Sequence, residues 1–222
     1  MSRRPFSRSP ALILPSVLLA LSLAALPAQA GTPSGKKLVK RIQKAYDALT
    51  TFSCRFRYEF QWALAGEVEV TEGTMELAKP ERFRYETPQQ VMVTDGKTLW
   101  RWNALNRQAI IEPLEEAEPG ILPREILFEY PKKFDVTSVR EAMIGGKEAW
   151  LLELTPKDPK VGVRRVKVWI GAEDSITRRM EFTDLDGNLT TYILRDIRLN
   201  EPIGEERFTL QLPEDATVYD LR

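Results

Sequence analysis

The chain of 222 residues contains no histidine and a single cysteine, Cys54. Without histidine there is no imidazole acid–base catalysis and no imidazole ligation of a metal ion. A single cysteine forms neither an intramolecular disulfide nor a thiolate zinc cluster. The Gly-x-Ser-x-Gly elbow of the α/β-hydrolases is also absent. The sequence therefore predicts no metal site, no cofactor and no enzymatic activity.

Net charge is also absent, since 32 lysines and arginines balance 32 aspartates and glutamates. Three of the basic residues, Arg3, Arg4 and Arg8, lie in the first thirty positions, which hold no acid. The remainder carries 29 basic and 32 acidic residues and is slightly acidic. This balance argues against nucleic acid as a partner.

The chain has only one long apolar run, over residues 11–26, and it is followed by Pro27-Ala28-Gln29-Ala30. The run is shorter than the roughly 20 residues of a membrane span, and a small-residue cleavage site follows it. We therefore predict a signal peptide over residues 1–30, cleaved after Ala30, rather than an uncleaved anchor. Residues 31–222 would then form a single domain. The Arg3-Arg4 pair leaves the export route open between the general secretory and the twin-arginine pathways.

Apolar residues recur at helical spacing after Thr32-Pro33, which predicts one amphipathic helix with Thr32 as its N-cap. From Phe52 the period changes to two, so that one face of a long strand is aromatic and the other polar. Residues 115–133 contain three prolines and predict a loop with a short helical turn. Alternation and turn signals predict ten strands near residues 52–62, 68–77, 82–86, 90–94, 98–102, 108–112, 148–155, 163–170, 176–184 and 189–199.

This pattern predicts a mainly β (α+β) fold with a single curved antiparallel sheet of about nine to eleven strands. A sheet with one solvent-exposed face must have its other, apolar face covered by other parts of the protein. The predicted helices comprise only about 30 residues, which is too few to cover one face of a sheet of that size. Either the sheet closes into a barrel, or an apolar hollow remains beneath a thin helical cover.

Two motifs carry a resemblance to a known family. Residues 73–86 (GTMELAKPERFRYE) combine a glycine, a basic residue before a proline and an aromatic strand, and residues 93–100 (VTDGKTLW) form a turn before a second aromatic strand. Three later segments follow in the order and at the spacing seen in the same family, at residues 168–170, 182–188 and 208–213. Together these segments resemble the periplasmic outer-membrane lipoprotein carrier family, LolA, over nearly all of the chain after residue 30.

The resemblance implies an incomplete, half-open barrel, a lid of short helices and an apolar cavity that shields the acyl chains of a lipoprotein. It implies a periplasmic, monomeric chaperone of outer-membrane biogenesis. Its expected partners are an acylated lipoprotein cargo, an inner-membrane lipoprotein-releasing ABC transporter and an outer-membrane lipoprotein receptor. Two alternatives stay open: a sensor or regulatory module built on the same half-barrel, and a paralogue that carries another lipid. The identity of the cargo and the existence of a dedicated receptor also stay open.

Aromatic and branched side chains of the predicted strands are the candidate cavity walls, and Phe83 matches the family's motif most closely. Lys79 stands where the family usually has an arginine that holds the lid, and a lysine offers a point charge without the planar fork. The predicted acyl-chain cavity is lined by Phe56, Tyr58, Phe83, Tyr85, Val91, Val93, Trp100, Trp102, Trp150 and Leu152. The predicted lid residues are Leu38, Ile42, Leu122 and Lys79.

Overall fold

The structure is a computed structural model that describes residues 32–117 and 133–222. Its α-helix, α1, spans Gly35–Asp47 and begins after Ser34, whose Oγ accepts a hydrogen bond from the backbone N–H of Lys37 at 3.4 Å. The predicted N-cap at Thr32 is therefore wrong by two residues. Leu38, Ile42 and Tyr46 are spaced four apart and all are buried, as an amphipathic helix requires. No helix in the described part of the chain is long and apolar enough to cross a membrane.

Twelve strands form one sheet in the order β12-β6-β5-β4-β3-β2-β1-β11-β10-β9-β8-β7. Neighbouring strands are antiparallel except β12, which runs parallel to β6. Within the described residues β12 and β7 are edges, so the sheet is not closed into a barrel. The mainly β fold with one open sheet is thus confirmed. The strands span Thr51–Gln61 (β1), Val68–Ala78 (β2), Arg82–Glu86 (β3), Gln90–Thr94 (β4), Thr98–Asn103 (β5), Gln108–Pro113 (β6), Phe134–Ile144 (β7), Lys147–Pro156 (β8), Val163–Gly171 (β9), Thr177–Asp184 (β10), Leu189–Leu199 (β11) and Thr217–Asp220 (β12).

The two edge strands, β7 and β12, were not predicted. In β7 a register shift between Val136 and Ser138 interrupts the alternation, so the apolar positions do not keep one parity. β12 is only four residues long and all four are exposed. It is held by pairing with β6, which the local sequence pattern does not encode.

The sheet has two distinct faces. Leu38, Ile42 and Tyr46 of α1 pack in one hydrophobic cluster with sheet residues that include Phe52 and Phe83. We call the face that α1 covers the inner face, and the opposite face the outer face. Residues directly opposite one another in neighbouring strands share a face, so the strand register assigns each side chain to one of the two.

The segment after β11 covers part of the outer face. The guanidinium of Arg82 lies 5.0 Å from the ring centroid of Phe208, and Arg84 donates to the backbone oxygens of Arg207 and Thr209. Phe208 and Val93 are buried without belonging to the inner-face cluster. The sheet is therefore dry on both sides in the region of β3 to β6.

The need for glycine at position 73 arises from the packing of the inner face and not from a bulge. The apolar residues change parity along β2, a pattern that predicts a bulge near Gly73, but β1 and β2 pair through this position without a register shift. A Cβ at Gly73 would lie 2.6 Å from Cζ of Phe56 and 2.2 Å from the backbone oxygen of Glu86. Glycine is needed here because the Phe56 ring lies against the backbone.

Candidate functional site

A row of aromatic rings follows β1 along the inner face. Phe56 stacks on Tyr85 with ring centroids 4.8 Å apart, and Tyr58 meets the edge of Tyr192 at 5.2 Å. Phe60 and Trp62 continue the row with an edge-to-face contact at 4.8 Å. Phe56 is 2% exposed and Trp62 is 44% exposed. The row therefore runs from the core of the inner face to the solvent at the β1–β2 hairpin.

Six of the ten predicted wall residues belong to the inner-face cluster or pack against it. Four are fully part of the cluster, while Tyr58 and Trp150 are half-buried at its border. The structure therefore brings these side chains onto one continuous apolar surface. They are Phe56, Tyr58, Phe83, Tyr85, Trp150 and Leu152.

The other four predicted wall residues, Val91, Val93, Trp100 and Trp102, lie on the outer face. Tyr85 pairs with Met92, so Met92 is the residue of β4 that shares the inner face. Val93 pairs with Trp100 and Val91 pairs with Trp102, which places both tryptophans with the valines. The prediction that these four share a wall with Phe83 is corrected by this register.

The error has a physical cause in β4, where Val91, Met92 and Val93 are apolar at both parities. Alternation identifies a buried face only when the other face is wet. Here the segment around Phe208 covers the outer face. No signal within residues 90–102 distinguishes the two sides.

A cavity of about 220 Å³ opens between the C-terminal end of α1 and the turn that joins β2 to β3. Lys79 and Phe83, the two residues that the family motif singles out, both line it. Tyr46 and Asp47 line the cavity from α1, and Phe52 lines it from β1. Of the predicted lid residues, Leu38 and Ile42 are completely buried under α1. Leu122 lies outside the described residues.

Lys79 contacts the end of α1. Its Nζ donates a hydrogen bond of 2.5 Å to the backbone oxygen of Asp47, the last residue of the helix. That carbonyl has no intrahelical donor, and a cation is favourable at the negative end of the helix dipole. The backbone N–H of Lys79 also donates to the oxygen of Thr50 at 3.0 Å. Lys79 therefore joins the β2–β3 turn to the last residue of α1, and its role in holding a lid stays a prediction.

Tyr46 connects α1 to β10, a role that no pattern in the sequence indicates. Its hydroxyl donates to Oγ1 of Thr177 at 2.9 Å and accepts from the backbone N–H of Thr177 at 3.0 Å. Burial raises the pKa of Tyr46 to about 12, against an opposing effect of the two Thr177 hydrogen bonds. Helical spacing identified Tyr46 as an inward residue, but only the tertiary pairing reveals its hydrogen bonds.

The inner face disfavours charge. Burial raises the pKa of Tyr85 to about 12 and also raises the pKa values of Tyr58 and Tyr192. Burial likewise raises the pKa of the Cys54 thiol to about 12, which leaves the thiol protonated and unreactive at neutral pH. The part of the surface that these residues form is therefore suited to apolar chains.

The Asp184–Asn188 segment is a hairpin turn between β10 and β11. The backbone and side-chain amides of Asn188 donate to the two carboxylate oxygens of Asp184, each at 2.8 Å. Burial opposes ionisation, but these and neighbouring backbone hydrogen bonds together lower the pKa of Asp184. Within residues 32–117 and 133–222, no group of three or more acidic or cysteine side chains is arranged to hold a metal ion.

The sequence matches the family described as outer membrane lipoprotein carrier protein LolA over residues 47–211. An outer-membrane lipoprotein carrier protein from Azotobacter vinelandii is 28% identical over 211 residues, which cover 91% of this chain and 95% of the relative. The protein of the same name from Halorhodospira halophila is 26% identical over 208 residues, with coverages of 92% and 93%. The crystal structure of an uncharacterized conserved protein from Thermus thermophilus has a similar fold, with a TM-score of 0.57 and 16% identity. This match covers 85% of this chain and 99% of that one.

Proposed function

The chain belongs to the LolA family of outer membrane lipoprotein carrier proteins, and from this premise we propose that it binds the acyl chains of lipoproteins and carries them through the periplasm. The observation that carries the proposal is the inner face, an apolar and aromatic surface on one open sheet. Among the described residues, the apolar side chains of α1 pack on this face.

The cavity at the end of α1 is too small for the cargo. Pockets for drug-sized ligands measure about 300–1,000 Å³, whereas this one measures about 220 Å³. A lipoprotein that carries three acyl chains therefore needs more of the inner face than is open here. We propose that α1 moves aside and that the acyl chains take the place of its apolar side chains.

Such an exchange predicts a modest affinity for the cargo. Leu38 and Ile42 are completely buried on the inner face. When α1 leaves, the inner face exchanges one apolar occupant for another, so its own hydrophobic contacts change little. The polar contacts that hold α1 are few among the described residues: Lys79 to Asp47, Tyr46 to Thr177, and Arg41 to the backbone oxygen of Ala172 at 2.9 Å.

The partners follow from the cost of moving the cargo. At about 0.8 kcal/mol per CH₂, three chains of roughly sixteen carbons represent on the order of 40 kcal/mol of exposure to water. Such a cargo needs an energy-driven release step and direct transfer between apolar surfaces. An inner-membrane ABC transporter as donor and an outer-membrane lipoprotein receptor as acceptor meet these needs.

The proposal is tested by incubating the purified exported protein with membrane vesicles that contain a tri-acylated lipoprotein, the releasing ABC transporter and ATP. We expect a water-soluble one-to-one complex of protein and lipoprotein that requires ATP. A fluorescent tri-acylated lipopeptide, titrated without membranes, measures binding directly.

Two results would contradict the carrier function. One is the absence of a complex in the presence of an active transporter. The other is tight lipopeptide binding without transfer to acceptor vesicles that contain the receptor, because a sensor retains its ligand and a carrier must release it.

A further inference from the structure

Three neighbouring hairpins each expose an aliphatic side chain at the tip. Leu64 lies between β1 and β2 and is 103% exposed, Leu185 lies between β10 and β11 and is 55% exposed, and Val161 lies between β8 and β9 and is 42% exposed. We call these three residues the apolar tips. Single exposed aliphatic side chains are common on protein surfaces, whereas several that lie together mark a candidate interaction site.

The strand register places the apolar tips level at one end of the sheet. Gln61 pairs with Leu189, so the β1–β2 and β10–β11 turns leave the sheet together. Asp184 pairs with Val163, which places the turn before β9 beside them. The backbone N–H of Ala63 also donates to Oδ1 of Asn188 at 3.0 Å and joins two of the turns directly.

The turns at the opposite end of the sheet carry mainly charged residues. Charged residues occupy three of them: Glu81 follows β2, Lys97 precedes β5 and Glu173 follows β9. Met143, beside the β7–β8 turn, and Leu221, after β12, are exposed apolar residues at that end, but they lie on opposite edges of the sheet. The three neighbouring apolar tips therefore set one end of the sheet apart.

The form and charge of the tips favour a lipid surface as the occupant. Separate side chains on projecting turns suit a deformable bilayer interface, which can close around each one, whereas a protein partner would need a matching set of pockets. The three turns, residues 62–67, 157–162 and 184–188, hold four acids and two bases. This excess of acids gives no attraction to anionic lipids. Trp62, half-exposed beside Leu64, is a residue type that favours the interface between lipid and water.

We infer that the apolar tips dock reversibly on the surface of an uncharged, zwitterionic bilayer. The inference builds on the proposed function, because the aromatic row from Trp62 to Phe56 leads from these tips to the inner face. A docked protein would receive or deliver acyl chains at the membrane along this row, without passing them through bulk water.

Co-sedimentation with protein-free vesicles tests the inference, using protein purified after export with its N-terminus determined by mass spectrometry. The probes are phosphatidylcholine vesicles and vesicles that also contain phosphatidylglycerol. The test variant combines Leu64→Ser with Leu185→Ser, and both positions are exposed, so the fold is retained.

The matched control is Leu105→Ser, because Leu105 is 78% exposed at the β5–β6 turn. Cross-strand neighbours relate this turn to the apolar tips: Ala109 lies opposite Trp102, Trp102 opposite Val91, Val91 opposite Glu86, and Glu86 opposite Thr74 of β2. Thr74 is six residues from Val68, where β2 begins beside the apolar tips. The β5–β6 turn therefore ends about 20 Å short of the apolar tips along the strands.

We expect weak binding of the unchanged protein and of Leu105→Ser to phosphatidylcholine vesicles, at least tenfold weaker binding of the double variant, and no gain from phosphatidylglycerol. Absence of binding by the unchanged protein overturns the inference. So does an equal loss in Leu105→Ser, or binding only to vesicles that contain phosphatidylglycerol or membrane proteins.

Lipopeptide titration without vesicles separates this inference from the proposed function. The double variant should bind the tri-acylated lipopeptide as well as the unchanged protein does. If lipopeptide binds but vesicles do not, the docking fails and the carrier function stands. If vesicles bind in the expected pattern but lipopeptide does not, the docking stands and the carrier function fails.

Discussion

Lys79 and Tyr46 fix the last turn of α1 in different ways. Lys79 is exposed, and its Nζ reaches a helix carbonyl from the β2–β3 turn. Tyr46 is buried, and its hydroxyl pairs with both the backbone N–H and the hydroxyl of Thr177, which has no exposed surface. An exposed hydrogen bond can break and re-form with water as the substitute, whereas a buried one leaves a polar group without a partner. We therefore infer that the Lys79 contact breaks readily when α1 moves aside, whereas the anchoring contact of Tyr46 is the more costly one to break.

Tyr46→Phe should lower the free energy of unfolding by about 1–3 kcal/mol, because the buried N–H and hydroxyl of Thr177 lose their partner. Urea denaturation followed by circular dichroism measures this. The control is Tyr219→Phe, since Tyr219 is 49% exposed on β12, and its effect should stay within about 0.5 kcal/mol. Equal effects of the two substitutions would contradict the anchoring role.

Lys79→Leu should speed hydrogen exchange at the last turn of α1, because the carbonyl of Asp47 loses its donor. The free energy of unfolding should change by less than about 1 kcal/mol, as for other exposed charged groups. Lys79→Arg should slow the exchange relative to the unchanged protein, since a planar guanidinium can donate two hydrogen bonds at once. Unchanged exchange in Lys79→Leu would show that the contact does not hold the helix.

At the scale of elements, the sequence predicted α1 and ten strands because each has one dominant period. β1 alternates aromatic and polar residues over its whole length, and its parity correctly places Phe56 and Tyr58 on the inner face. β4 carries no such information, because both of its faces are covered. Local patterns thus identify strands and single faces, whereas the side on which α1 or the C-terminal segment lies depends on contacts between distant residues.

A tether between α1 and β7 tests whether the helix must leave the inner face. A Cβ at Gly35 would lie 3.0 Å from the Cβ of Val136, and a shift of about half an ångström brings the pair into the disulfide range. In the Gly35→Cys, Val136→Cys variant, oxidation should weaken lipopeptide binding at least tenfold and reduction should restore it. Cys54 can remain, since burial raises its pKa to about 12.

Gly35→Cys alone controls for the substitution and should bind lipopeptide equally well in oxidising and reducing buffer. If the oxidised double variant binds lipopeptide as well as its reduced form does, cargo binding needs no displacement of the N-terminal end of α1.

For the whole molecule, the buried tyrosines predict a loss of stability in alkali. Folding raises the pKa values of Tyr46 and Tyr85 to about 12 and also raises those of Tyr58 and Tyr192, all chiefly through burial. Above the ordinary tyrosine pKa of about 10 the unfolded chain releases protons that the folded chain retains, so alkali favours unfolding. The free energy of unfolding should be steady from about pH 7 to 9 and should fall between about pH 10 and 12.

Urea titrations across this range measure the effect. A Tyr85→Phe, Tyr192→Phe variant should show a shallower fall, because two of the responsible hydroxyls are absent. An identical slope in the variant would assign the alkaline loss to other groups.

The pairing of β1 with β11 has a consequence for how the chain reaches its fold. Phe52 pairs with Leu199, which lies 147 positions later in the sequence. Contacts of such separation slow folding, because a long loop must close before they form. Until β11 arrives, one edge of β1 and its aromatic row are open to other chains, and unpaired apolar strands of this kind aggregate. The nascent protein therefore exposes the aromatic row of its own inner face until nearly the whole chain has been made.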